Sequence, residues 1–260
     1  MRGLRCLALK SFSRLNFVGA EPDLATTSLR NVSFVDCVAD GNAGHQFQAW
    51  LGKFNASTEP VSITFDNCTA NGRGLLPSFG TAPAGFFFGG FAPGLRGGIS
   101  VVNSAAINTG GPGALIRRPT AAATFSVSFR DTLFENVARC TKAQHGCATD
   151  QYYENYFFNF DGAPLSMFMD PGKTDVIADG AVLGGLSWEN CTVRDDRPRP
   201  FLLLNASWVG GETRRVANVW FDGTVEATHQ ESCHSSVDSG GADNVSTTPT
   251  VCSVTPPPTK

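Results

Sequence analysis

The densest group of residues able to do chemistry is Arg194-Asp195-Asp196-Arg197-Pro198-Arg199. Adjacent carboxylates flanked by guanidinium groups can hold a divalent cation against an acidic ligand, or move a proton next to a uronate carboxyl. A run of mixed charge more commonly forms a solvated, self-paired loop. A second group, Tyr152, Tyr153 and Tyr156, holds all three tyrosines of the chain just before an apolar run. Rings with an apolar body and a polar rim suit stacking on sugars, and suit loop packing equally well. Arg194, Asp195, Asp196 and the three tyrosines are therefore the candidate carbohydrate contacts. The four histidines, His45, His145, His229 and His234, fall at no metal-ligand spacing, and no metal or cofactor is predicted. In "GFFFGG", from Gly85, core packing is favoured over an aromatic platform.

Six Asn-X-Ser/Thr sequons occur, at Asn31, Asn55, Asn67, Asn190, Asn205 and Asn244. Chance alone gives roughly 2.4 at this composition, so the excess points to an exported chain. Eight cysteines point the same way. The net charge of −3 gives no basic field for nucleic acid, and no apolar run is long enough to span a bilayer. The start carries no signal-peptide pattern, because Lys10 and Arg14 interrupt its apolar patch.

The elements that would position these groups repeat. "VSFVDCVAD", "ITFDNCTAN", "ISVVNSAAI", "VSFRDTLFE", "FFNFDGAPL", "LSWENCTVR" and "NVWFDGTVE" align without gaps on Asp36, Asn67, Asn103, Asp131, Asp161, Asn190 and Asp222, at spacings of 31, 36, 28, 30, 29 and 32 residues. Two residues before each anchor stand Phe34, Phe65, Val101, Phe129, Asn159, Trp188 and Trp220, an alternation of short strands with one face buried. The residue after each anchor is small: Cys37, Cys68, Ser104, Thr132, Gly162, Cys191 and Gly223. A small residue beside Asp or Asn marks a crowded turn. A second apolar run follows most anchors, and no segment shows a sustained helical period. One chemical register about every 31 residues fits a coil that winds once per repeat, stacking like phases about 4.8 Å apart.

On this repeat length, the Asn/Asp ladder, the stacked apolar phases and the "VSITFDNC" style of strand, residues 28–228 resemble the right-handed parallel β-helix proteins of the pectate-lyase-like superfamily. "PVSITFDNC" and "GGPGALI" also resemble phrases of large secreted β-helix proteins associated with polysaccharide metabolism. The resemblance implies an all-β, right-handed parallel β-helix of about seven coils. Residues 1–27 form an incomplete coil or cap, and the Ser/Thr/Gly/Pro-rich residues 229–260 a cap or linker. Stepping one repeat back from Asp36 reaches Arg5, so the chain is expected to be a piece of a longer solenoid.

That fold hosts lyases, hydrolases, adhesins and inert spikes. Polygalacturonase-like motifs occur only as fragments in the wrong order: Asn108-Thr109 is followed by Gly110, and Asp195-Asp196 comes after His145-Gly146. The expectation is an extracellular, carbohydrate-associated module that binds a polysaccharide or cell-surface glycan, or serves structurally, without a complete catalytic centre. A polysaccharide lyase or glycoside hydrolase fragment is the first alternative, with calcium entering only under the lyase reading. An adhesin-like surface repeat is the second. Asn55 and Asn205, then Asn31 and Asn244, are the candidate glycosylation sites, while Asn67 and Asn190 are expected to turn their amides inward. Parallel in-register strands keep Cys37 and Cys68 as stacked thiols. Cys140 with Cys147 and Cys233 with Cys252 bracket irregular segments and are the candidate disulfides.

Overall fold

Val61-Ser62-Ile63-Thr64-Phe65 alternates apolar with hydroxyl-bearing residues and forms strand β6 (Val61–Asp66), with Val61, Ile63 and Phe65 buried and Ser62 exposed. The alternation is that of a strand with one face in a core. The computed structural model describes residues 4–5, 18–20, 30–42, 44–51, 60–73, 84–89, 94–117, 124–137, 165–168, 185–194, 202–205, 214–222, 236–237 and 251–252. Among these residues there are strands and no helix, so none is long and apolar enough to cross a membrane.

Every strand pair is parallel, and the strands fall into three sheets. The first sheet stacks β1 (Leu4–Arg5), β3 (Val32–Val35), β6, β9 (Arg96–Val102), β12 (Thr124–Arg130), β15 (Gly185–Glu189) and β18 (Arg214–Asp222), with β20 (Val251–Cys252) beside β18. The second stacks β4 (Val38–Asp40), β7 (Thr69–Asn71), β10 (Ala105–Ile107), β13 (Leu133–Glu135), β16 (Thr192–Arg194) and the far half of β18. The third stacks β2 (Val18–Ala20), β5 (Phe47–Trp50), β8 (Phe86–Gly89), β11 (Ala114–Arg117), β14 (Leu165–Phe168), β17 (Leu202–Asn205) and β19 (Ser236–Val237). The chain visits the sheets in turn and lays each visit beside the previous one, an arrangement consistent with a parallel β-helix.

The core lies between the sheets. Phe34, Phe65, Val101, Phe129 and Trp188 are successive Cα partners and all are buried. Phe34 and Phe65 stack at 4.8 Å, and Phe129 and Trp188 at 6.2 Å. Val101 is too small to continue the column of rings. Phe88 of the third sheet closes the gap, 5.7 Å from Phe65 and 6.2 Å from Phe129.

The register departs from the sequence spacing at three places. Between Asp131 and Asn190 the spacing predicts an intermediate turn anchored on Asp161, but β12 pairs directly with β15, Phe129 opposite Trp188. One turn covers that interval, as the 59-residue separation of the neighbours Glu135 and Arg194 also shows, and Asp161 lies outside the described residues. In β18, Val216 faces Trp188 while Trp220 faces Thr192 and Asp222 faces Arg194. Asn218, not Asp222, thus holds the anchor position, and Trp220 does not continue the Phe34–Trp188 row. At the N-terminal side Leu4 pairs with Phe34 and Arg5 with Val35, one residue off the expected step.

Candidate functional site

Between the first and second sheets five turns pass through one residue each in the left-handed region: Asp36 (φ 55), Asn67 (φ 52), Asn103 (φ 50), Asp131 (φ 50) and Asn190 (φ 52). Asn and Asp tolerate this conformation at low cost, which explains their fixed phase. Asp36, Asn67, Asn103 and Asp131 are exposed and Asn190 is half-buried. The Asn67 amide, expected to turn inward, donates on the outside to Asp36 Oδ1 at 2.7 Å, and Asn103 donates to Asp66 Oδ1 at 3.2 Å.

The small residue after each anchor goes inward instead. Cys37, Cys68, Ser104, Thr132 and Cys191 are buried. From Cys68 onward each donates to the carbonyl two residues before it and to one on the preceding turn. Cys68 Sγ reaches Asp66 O and Phe34 O (3.5 and 3.4 Å), Ser104 Oγ reaches Val102 O and Phe65 O (2.7 and 3.4 Å). Thr132 Oγ1 reaches Arg130 O and Val101 O (3.0 and 3.4 Å), and Cys191 Sγ reaches Glu189 O and Phe129 O (3.5 and 3.7 Å). On the turns that bend here the position holds a small residue that can donate, whereas on β18, which runs straight through, Val219 takes it. Burial pushes the Cys191 thiol up to about 12.

A second corner, after the second sheet, was not singled out in the sequence. Gly41 (φ 70), Arg73 (φ 53), Asn108 (φ 52) and Asn136 (φ 53) are left-handed there, and Asn136 donates to Asn108 Oδ1 at 2.5 Å. Its signal was present: Gly41, Gly72, Asn108, Asn136 and Asp195 each stand five residues after an anchor.

Of the expected carbohydrate contacts, only Arg194 is among the described residues. It is exposed at the end of β16 and pairs with Glu135 of the preceding turn at 2.9 Å. Asp195, Asp196, Tyr152, Tyr153 and Tyr156 lie outside, as do Asn55, Asn244, Cys140, Cys147 and Cys233. Asn31 is exposed with φ 50, and Asn205 ends β17 opposite Phe168. Cys252 pairs by backbone with Val219. Among the described residues no group of three or more His, Cys, Asp or Glu side chains is placed to hold a metal.

The outward side of the third sheet carries a set of rings. Phe86 and Phe88 enter the core, while Phe87 between them stacks with His45 at 4.0 Å and Trp50 at 5.8 Å, its plane within 13° of each. His45 Nδ1 accepts the Ala84 N–H at 3.0 Å, which fixes the ring's orientation. Phe87 is only 4% exposed and its Cα partners Gln48 and Leu115 are buried as well, so this side of the sheet is largely covered, while His45 and Trp50 are half-buried.

These features define the class: an all-β protein of stacked parallel strands in three sheets, with polar ladders at its corners. No protein-family model matches the chain, and no curated protein or solved structure proves similar to it.

Proposed function

We propose that the chain is an extracellular, carbohydrate-associated module built as a right-handed parallel β-helix of the pectate-lyase-like kind, which binds a polysaccharide or cell-surface glycan and has no complete catalytic centre of its own. The right hand follows from the strong preference of parallel crossovers for it. The carrying observation is the half-buried pair His45 and Trp50, each held near-parallel to the buried Phe87 ring. Phe87 braces the other two, and a braced flat ring is what an apolar sugar face stacks on at little entropic cost. The polar corner groups support a scaffold role, since ladder and carbonyl bonds already engage the Asn67 and Asn103 amides and the Ser104 and Thr132 hydroxyls.

The test is a glycan array and pull-down on purified full chain, with reducing-sugar and unsaturated-uronate assays on the same material. The expected outcome is capture by at least one polysaccharide, no cleavage product, and loss of about tenfold in affinity for Trp50→Ala, the equivalent of about 1.4 kcal/mol. Accumulating unsaturated uronate or reducing ends would replace this reading with the lyase or hydrolase one. Failure to bind any glycan would remove it.

A further inference from the structure

One sequon is folded into the corner between the first and second sheets. In Asn67-Cys68-Thr69 the asparagine is exposed with φ 52, the cysteine is buried, and the threonine opens β7 on its half-buried outward side. The asparagine and the hydroxyl residue of the acceptor triplet thus both stay outside, and only the middle residue enters the core. Asn67 Nδ2 donates one hydrogen to Asp36 Oδ1 at 2.7 Å, and its second hydrogen meets no partner among the described residues.

The corner does not require the triplet. Its left-handed conformation is held equally by Asp36, Asn103 and Asp131, and two residues on, where a sequon needs a hydroxyl, these turns carry Val38, Ala105 and Leu133. Those three are Cα partners in one row with Thr69 and Thr192. Threonine therefore enters the row only behind an asparagine, at Asn67 and at Asn190. The neighbouring rung supplies an internal comparison: Asn103 is exposed, has φ 50 and donates to Asp66 as Asn67 does to Asp36, yet Ala105 denies it the triplet. Asn190 has the triplet but is half-buried, which confines the assignment to Asn67.

We propose that Asn67 is an N-glycosylation site whose glycan stands on this corner ridge, in place of the inward structural amide expected from the repeat. The inference rests on the export part of the reading above. The donor is a lipid-diphosphate-linked oligosaccharide: Nδ2 bonds to the anomeric carbon, the carbon–oxygen bond to the diphosphate breaks with its electron pair leaving on the diphosphate, and the displaced proton passes to a carboxylate of the transferase. Transfer precedes closure of the corner, so the folded geometry decides whether the product is tolerated. A glycosylated Nδ2 keeps one hydrogen, the number that Asp36 uses, and the bulky sugar leaves from an exposed ridge. That ridge lies between the first and second sheets, whereas His45 and Trp50 stack on Phe87 of the third.

The experiment directs the full chain into the secretory pathway of a eukaryotic cell and maps its peptides after glycosidase release in heavy-oxygen water, which marks every asparagine that carried a glycan. Thr69→Val removes the hydroxyl and leaves Asn67 and its corner in place, a shape the preceding turn already accepts as Val38. Ala105→Thr completes the triplet at Asn103. Expected is occupancy of Asn67 in most of the folded, secreted chain, loss of that one glycan in Thr69→Val, and gain of one at Asn103 in Ala105→Thr, with the circular dichroism of the wild type throughout. Occupied Asn55 or Asn205 beside an empty Asn67, occupancy of Asn67 only in chain retained unfolded, or a folded Ala105→Thr chain with an empty Asn103 overturns the inference and leaves export standing. Secreted chain with no glycan at any of the six sequons overturns the inference and removes the sequons as grounds for export.

Discussion

Thr132 brings its hydroxyl to a point where the carbonyls of Arg130 and Val101 converge, at the buried position that Cys or Ser holds on other turns. Thr132→Val keeps the shape and removes the donor, so it should cost about 1–3 kcal/mol in the urea midpoint, whereas Thr132→Ser should be nearly neutral. An equal loss for both would mean that packing, not the donor, governs the site. Cys191 makes a pH statement. Its folded pKa is raised from 9.0 to about 12 by burial, so below pH 9 both folded and unfolded chains keep the proton and the group adds no pH dependence. Between pH 9 and 12 only the unfolded chain ionises, and stability should fall as pH rises through that window. Comparing alkaline titrations of the wild type and Cys191→Ser isolates this contribution. At this scale the sequence was legible, because a left-handed corner narrows the choice to Asn, Asp or Gly. What it hid was direction: Asn67 is exposed, and its amide bonds the Asp36 carboxylate of the preceding turn instead of entering the core.

Strand β9 begins at a tight approach to β6. Gly97 has φ 100, and a Cβ there would stand 1.9 Å from Val61 O. Gly97→Ala should therefore cost more than the roughly 1 kcal/mol of an ordinary Gly site and lower the thermal midpoint. A midpoint at or above the wild type's would show that β6 and β9 separate readily at this end. Element boundaries read well from alternation, and registers read less well for a specific reason. Placing Asp222 rather than Asn218 at the anchor is a slip of four residues, and an even slip returns every side chain to its original face. Period-two burial cannot detect it. The decisive difference lies in β18, which runs unbroken from Arg214 to Asp222 through a corner where the preceding turns bend. The second corner escaped for another reason: its residue type changes along the chain from Gly41 and Gly72 to Asn108 and Asn136, and one turn bends at Arg73 instead of Gly72.

Among the described residues the strands form a one-dimensional stack in which each pairs only with its neighbours along the axis. Stability should therefore be graded along the axis rather than uniform. Amide hydrogen exchange should be slowest in β6, β9 and β12, which have long partners on both sides, and fastest in the two-residue strands β1 and β20. Equal protection throughout would mean that the stack opens only as a unit. The number of turns was the least legible feature at this scale, since "FFNFDG" imitates an anchor while the strands on either side of it pair with each other.

The corner column gives the stack a polarity. Cys68, Ser104, Thr132 and Cys191 each share their one side-chain hydrogen between a carbonyl of their own turn and a carbonyl of the turn that precedes them, and none reaches forward to a carbonyl of the next. Each of those turns is completed by the next. A chain leaving the ribosome would thus present, at every moment of its growth, one finished stack and one open rung whose vacant acceptor awaits the next corner. Such a rung is a template for the segment that follows, so folding that advances in the order of synthesis closes each acceptor with its own successor and gives neighbouring chains little time at the exposed edge.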